Sequence, residues 1–498
     1  MEQEFFRMEA IPRTPITLQS APGEKQSKNL SYDRHDFLLA GLISFIHILT
    51  AIIYAKFFGI TIRIHEPWST WDWFWQTLPL DALRTDLLES LWYLHAQPPI
   101  FNLLGGVLAK LFFPFHLEAL HILYVMLGGL LSGLIYLLAA NFTSRRLIGF
   151  LWAFILSQNL SLFLYETYIL YSLLIAFMVV LNLSCVLWHS RTKTPIALYC
   201  FIITLNILVL TRSSYHLLLL PAALVFIWLI STPEAKKRTL IISSLLCLIS
   251  IFWYAKNYEI FGVFGTSSWF GQSLWKIASS SYSDEELQFL AKEGVIDQMV
   301  VERRNFLRPA AYETYGFTKR SSIPALSNND YNNINIIDIS RAYGENAIRL
   351  IRYSPWIYLK SILAAFLFYC LPSTSYNHLA INFSKIIPLK GAYLQTLQIS
   401  ETAVTFILLP STLALYLAQK LKLAGQHRLG IQQLFQQDSV LMWCFFMIGY
   451  SVVTSCMLEI NENMRFKFDV EQLIWLFIPI VLSRVKSLAR KISPQKTM

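Results

Sequence analysis

Charge is what this sequence lacks. Of 498 residues only 14% are Asp, Glu, Lys or Arg, against about 25% in soluble domains, and that shortage excludes a chain that keeps its whole surface in water. Cysteine is scarce too. Cys185, Cys200, Cys247 and Cys444 lie inside apolar runs and Cys370 and Cys456 at the ends of such runs; without paired spacing they predict neither a disulfide framework nor a zinc site. No repeat and no low-complexity tract occurs, which excludes solenoids and arrays. Residues 1–36 carry Arg7, Arg13, Lys25, Lys28 and Arg34 without the apolar core of a signal peptide, and are expected to form a cytoplasmic tail.

What is present is apolar length. Hydrophobic residues make up 55% of the chain and aromatics 15%, and runs long enough to cross a ~30 Å hydrocarbon layer recur between short charged loops. The segments are 37 to 59, 98 to 113, 118 to 141, 147 to 164, 168 to 188, 196 to 210, 216 to 231, 239 to 257, 356 to 372, 397 to 418, 439 to 458 and 470 to 483. The fold class is therefore an all-α polytopic membrane protein. Its net charge of +10 is spread over interhelical loops and the basic tail 484–498, with Arg484, Lys486, Arg490, Lys491 and Lys496. That distribution encodes topology in a lipid bilayer and points away from nucleic acid.

If every segment crossed, the loops holding Arg145 and Arg146, Arg191 and Lys193, and Lys236 to Arg238 would fall outside, against the positive-inside rule. Letting 98 to 113 and 356 to 372 be re-entrant or interfacial puts these loops, the 419 to 437 loop and the tail inside. About ten transmembrane helices plus two non-crossing ones result, in one body over 37–483, with outer segments at 60–117 and 258–396. Irregular backbone of that kind needs shelter in protein or beside a water-filled cavity.

The first outer segment reads "IHEPWSTWDWFWQTLPLDALRTDLLESLWYLHAQ" over 64 to 97. Its tryptophans Trp68, Trp71, Trp73 and Trp75 suit the membrane interface, and Leu80, Leu83, Leu87, Leu88 and Leu91 form the apolar stripe of an interfacial helix. Carboxylates at such a boundary are costly unless they face water, which makes Glu66, Asp72, Asp81, Asp86 and Glu89 site candidates. In "LHAQPPIFN", Pro98 and Pro99 start a helix without wasting an N–H. The remaining first-turn N–H groups beside His95 and Gln97 are then expected to suit an anion.

This order of elements, with "HAQPPIFNLLGGVLAKLF" after an acid-bearing loop, "LSLFLYETYILY" carrying Glu166, "LTRSSYHLLLLP" carrying Arg212 and "LEINENMRFKF" carrying Arg465 and Lys467, resembles the C-class glycosyltransferase (GT-C) superfamily, which includes aminoarabinose transferases and protein mannosyltransferases. Gln97 stands where those relatives often have lysine, and "HEPWSTWD" lacks their adjacent acidic pair. The resemblance implies an inner-membrane enzyme of the cell envelope that passes a sugar, with inversion, from a polyprenyl-phosphate donor to an acceptor hydroxyl on the extracytoplasmic face. It implies Glu66 as base, then Asp72 and Asp86, with Glu166 completing the acidic site or holding a divalent ion, although no dedicated ligand spacing is present. Independently, the chemistry needs a carboxylate for the acceptor proton and a cation for the departing phosphate. Arg212 and Arg465 lie against the positive-inside trend and match phosphate oxygens; Lys467 shares the loop of Arg465, His95 and Gln97 before the double proline offer further hydrogen bonds, and Trp68, Trp71 and the aromatics around Trp269 offer faces for a sugar. A transporter or flippase of lipid-linked sugars is the alternative, and would show intramembrane ionisable groups or broken helices.

Overall fold

In the computed structural model of the protein, residues 33–62, 70–143, 146–302, 304, 309–327, 331–386, 402–416 and 438–492 are described, with isolated positions at 418, 432, 435 and 436. Helices dominate and no strand occurs among them. Each of the twelve apolar segments contains a helix, because in hydrocarbon only a helix satisfies every backbone group within its own segment.

The chain enters α1 (Arg34–Phe58) through a capping box in which Asp33 and Asp36 exchange bonds with each other's N–H, and leaves it at Gly59, whose φ of 61° is the left-handed conformation that ends helices. Two short helices, α2 (Leu80–Thr85) and α3 (Leu87–Trp92), precede α4 (Pro99–Phe112). Then come α5 (His116–Thr143), α6 (Arg146–Ser157), α7 (Leu160–Glu166), α8 (Ser172–Thr192), α9 (Pro195–Val209), α10 (Leu219–Ile230) and α11 (Pro233–Phe261). The segment between α11 and the next long apolar helix holds α12 (Phe270–Ala278), α13 (Asp284–Lys292), α14 (Gln298–Glu302), α15 (Pro324–Ser327) and α16 (Asn335–Tyr353). The chain closes with α17 (Pro355–Cys370), α18 (Val404–Tyr416), α19 (Ser439–Leu458) and α20 (Asn463–Ile492).

Among the described residues α1, α5, α8, α11 and α19 are each long and apolar enough to cross a membrane, and α6 with α7 make a sixth span if that bent pair is one. The apolar helices α4, α9, α10, α17 and α18 are shorter; α4, at 14 residues, is only about 21 Å long at ~1.5 Å per residue.

Close helix approach organises the bundle. On α5, Gly129 and Gly133 face α1 so tightly that an added Cβ would meet Ile48 at 2.8 Å and Ser44 Oγ at 2.6 Å, the small-residue spacing that lets membrane helices pack where no hydrophobic driving force acts between them. The α6–α7 pair bends by 50°, since Asn159 caps α7 by accepting the Ser161 N–H at 3.1 Å. That donor is diverted from the Ser157 carbonyl, and His47 takes its place, with Nδ1 at 2.7 Å.

Over one end of the bundle lies a second layer with its own core, in which Trp275, Leu287, Val300, Tyr312, Tyr343 and Leu350 are buried together. Gly271 of α12 rests on the backbone of α16, where a Cβ would fall 1.8 Å from the Ser340 oxygen. Within the outer segment expected at 258–396, the helices α12, α13, α14 and α16 thus share a core, because α12 and α16 are amphipathic and bury their stripes against each other.

Candidate functional site

A chamber of about 510 Å³ opens where the second layer meets the bundle. Its long wall is α12, whose residues Trp269 (at the N-cap), Gln272 and Lys276 line it; spacings of three and four place them on one helical face. The wall runs roughly 10 Å at ~1.5 Å per residue, from aromatic to charged. Trp75 and Gln76 of the first outer segment, Gln97 before α4, and His216 between α9 and α10 also face it.

Opposite Lys276 is the turn between α19 and α20. Asn463 knits that turn, donating to the Ser455 carbonyl at 3.1 Å, the Ser455 hydroxyl at 3.0 Å and the Glu459 carbonyl at 3.0 Å, and Asn461 takes a left-handed φ of 76°. So held, the turn presents two carboxylates to the chamber. Lys276 Nζ is 2.5 Å from Glu459 Oε1, and Arg465 Nη2 is 2.9 Å from Glu462 Oε2. Burial raises the Glu459 carboxyl above its ordinary range, opposed by Lys276 and reinforced by the neighbouring Glu462 charge. Glu462 is held below that range: burial works to raise it, but the charge of Arg465, then those of Lys276, His378 and Arg212, outweigh it. One turn thus carries one acid pushed up and one pushed down, the arrangement that separates acid and base roles in enzymes.

From the chamber wall inward the cations are stacked. Arg465 donates to the Tyr168 hydroxyl at 3.2 Å, which pairs with the Tyr376 hydroxyl at 3.0 Å, while its buried Nε finds no acceptor. Phe466 lies between the two guanidinium groups, 3.8 Å from Arg212 and 5.7 Å from Arg465. Arg212 forms a buried ion pair with Asp469, one wall away from the chamber that its neighbours Ser213 and Ser214 line.

Of the residues singled out by sequence, Gln97 and Arg465 line the chamber and Arg212 stands behind it. Lys467 is buried and donates to the Leu371 carbonyl at 2.6 Å. His95 is enclosed beneath the chamber floor: its Nε2 meets the Asn332 carbonyl at 2.9 Å and its Nδ1 the Ser268 hydroxyl at 2.9 Å. A carbonyl only accepts, so Nε2 carries the proton and Nδ1 accepts from Ser268; burial drives the imidazole down to about 3. Trp71 is buried against Phe101, ring centroids 5.1 Å apart, with its N–H on the Leu78 carbonyl. Its neighbour Trp75 is the one that reaches the chamber.

The loop acids do not converge. Asp72 is exposed and accepts the Leu80 N–H at 2.7 Å, capping α2; Asp86 is exposed at the joint of α2 and α3; neither lines the chamber. Glu66 and Trp68 fall in 63–69, outside the described residues. Glu166, expected in a short outer loop, ends α7 and is 1% exposed inside the bundle, 2.5 Å from His47 Nε2. The apolar run before it continues as helix past the α6–α7 break, which carries the carboxylate inward. One helix-start N–H of α4 is used as well: Ile100 donates to the Leu210 carbonyl at 2.9 Å, which is freed at the end of α9.

Glu459, Glu462, Lys276 and Gln272 carry no sequence motif of their own. The signal available for the first two is a Glu-x-x-Glu-x-x-Arg run in a very short loop between two long apolar segments, where acids sit at the membrane boundary. No group of three or more His, Cys, Asp or Glu side chains is arranged to hold a metal ion among the described residues. Compared with known proteins, the chain matches no family model, no curated protein and no solved structure.

Proposed function

We propose that the protein is a membrane glycosyltransferase that moves a sugar from a polyprenyl-phosphate donor to an acceptor hydroxyl, working in the chamber between α12 and the α19–α20 turn on the extracytoplasmic side. The topology that goes with this reading has ten spans: α1, α5, the α6–α7 pair, α8, α9, α10, α11, α18, α19 and α20, with α4 and α17 not crossing. The observation that carries the reading is the Glu459–Glu462 turn, two carboxylates displaced in opposite directions and flanked by Lys276 and Arg465. Glu459, the more basic carboxylate, takes the acceptor proton. As the acceptor oxygen bonds to the sugar carbon and the bond from that carbon to the phosphate oxygen breaks, the ionised Glu462 faces the positive charge developing on the sugar. The departing phosphate takes the negative charge and is met by Arg465, whose Nε is free to donate. The base thus lies in a different loop from Glu66, Asp72 and Asp86.

The second reading, a transporter of lipid-linked sugars, is favoured by the broken α6–α7 pair and by His47 and Glu166 meeting inside the bundle, features used by transporters. The full chain in sealed proteoliposomes, given a radiolabelled polyprenyl-phosphate sugar, separates the two. A transferase breaks the sugar–phosphate bond, and Glu459→Gln stops that while donor binding persists; translocation of intact donor by both proteins would end the transferase reading.

A further inference from the structure

The aromatic end of the chamber has features that the transfer chemistry does not use. Trp75 and Trp269 meet there with ring centroids 5.3 Å apart, and Tyr331 stacks on Trp75 at 5.2 Å. Both tryptophans line the chamber, and the indole N–H of Trp269 is buried without an acceptor. Gln272, the next chamber-facing residue along α12, is 1% exposed and its Oε1 is buried without a donor. Gln76 and Gln97 bring two more amides to the same end. An unmade donor and an unmade acceptor are costly in a folded protein. Both are satisfied by a ligand that presents hydroxyl groups, since a hydroxyl donates and accepts at once. Amide side chains and indole rings are neutral, so this end selects against a charged ligand, in contrast to the Lys276 end.

We infer that this end is a binding site for a neutral saccharide, and that, given the transferase reading above, the acceptor is a glycan rather than a hydroxyl of a protein or of a simple lipid. Its polar face lies on the Gln272 and Gln97 amides and the Trp269 N–H, its apolar face against the indole edges, and its reacting hydroxyl points along α12 towards Glu459. The alternating wall of Trp269, Gln272 and Lys276 sets the direction: sugar-binding groups at one end, proton acceptor and phosphate cation at the other.

The test is saturation-transfer NMR on the full chain in nanodiscs with mannotriose, maltotriose, cellotriose and chitotriose, and with a Ser/Thr-rich peptide of similar size as the competing class. At least one trisaccharide is expected to receive saturation, and Trp75→Phe and Gln272→Ala are each expected to weaken its binding by about tenfold or more. Trp75 is substantially exposed, so its replacement reads the site without threatening the fold. No saturation of any trisaccharide, or binding that neither variant weakens, overturns the site. Saccharide binding without sugar transfer leaves the site standing and removes the transferase reading; transfer to the peptide with no trisaccharide bound does the reverse.

Discussion

Lys276 Nζ lies 2.5 Å from Glu459 Oε1, so that an ion pair joins the second layer to the α19–α20 turn at the chamber. The charge and hydrogen bond of Lys276 oppose the upward shift that burial imposes on Glu459. A base must be deprotonated to act, so the transfer rate should rise with pH through the raised Glu459 value and level off above it. Replacing Lys276 by Met removes the opposing charge and moves that rise to higher pH, with a tenfold loss at low pH for each unit moved. The measurement is kcat/KM against pH for both proteins. An unmoved profile would show that Glu459 is not the titrating base.

The buried Arg212–Asp469 pair makes a stability prediction. Removing one partner strands the other charge, which costs roughly 3–5 kcal/mol, whereas replacing both by apolar residues of similar size is often near neutral. Thermal unfolding in detergent should therefore show Arg212→Met and Asp469→Leu each far below wild type and the double variant Arg212→Met/Asp469→Leu well above either. Losses that simply add would show that the two side chains are not energetically coupled.

His95 gives acid sensitivity with a definite sign. Its imidazole titrates at about 3 when folded, against an ordinary 6.5, so below 6.5 the unfolded chain takes up a proton that the folded chain refuses. The stability it contributes is complete above pH 6.5 and is lost progressively as pH falls towards 3, by up to about 1.4 kcal/mol per unit. His95→Gln should flatten the melting temperature between pH 6.5 and 4; a variant with the wild-type slope would assign that slope to other groups.

Gly128 has a single tolerated side chain, hydrogen. A Cβ there would fall 2.1 Å from Glu166 Oε1 and 2.7 Å from His47 Nε2, and both of those groups are held by each other. Gly128→Ala should cost roughly 1–3 kcal/mol, as overpacking does, whereas Gly41→Ala on α1 meets nothing within 4 Å and should be neutral. Comparable melting temperatures for the two variants would contradict the packing described around Glu166.

Much of this was legible from the chain. Each apolar segment contains a helix among its described residues, and the "LEINENMRFKF" loop, noted for Arg465, is where the charged wall of the chamber lies. Gln97 reached the chamber from the Pro98-Pro99 turn that drew attention to it. What the sequence could not distinguish was which acid of many faces the cavity. Asp72 and Glu459 are both loop carboxylates beside tryptophan or apolar runs, yet one is exposed and accepts the Leu80 N–H at the start of α2, and the other faces the chamber paired with Lys276. Trp71 opens the 3-10 turn Trp71–Trp73 and Trp75 follows just past its end, and only packing against Phe101 decided which indole was buried and which faced the chamber.

Segment length, apolar composition and the placement of arginines and lysines are local properties, so by themselves they determined that this is a helical protein with several helices able to cross a membrane. The site is not local. Lys276 and Glu459 are 183 positions apart and Arg212 and Asp469 are 257 apart, and a charge in a low-dielectric interior is stable only beside the partner that packing delivers to it. The tertiary structure alone decided which acids and cations share one chamber.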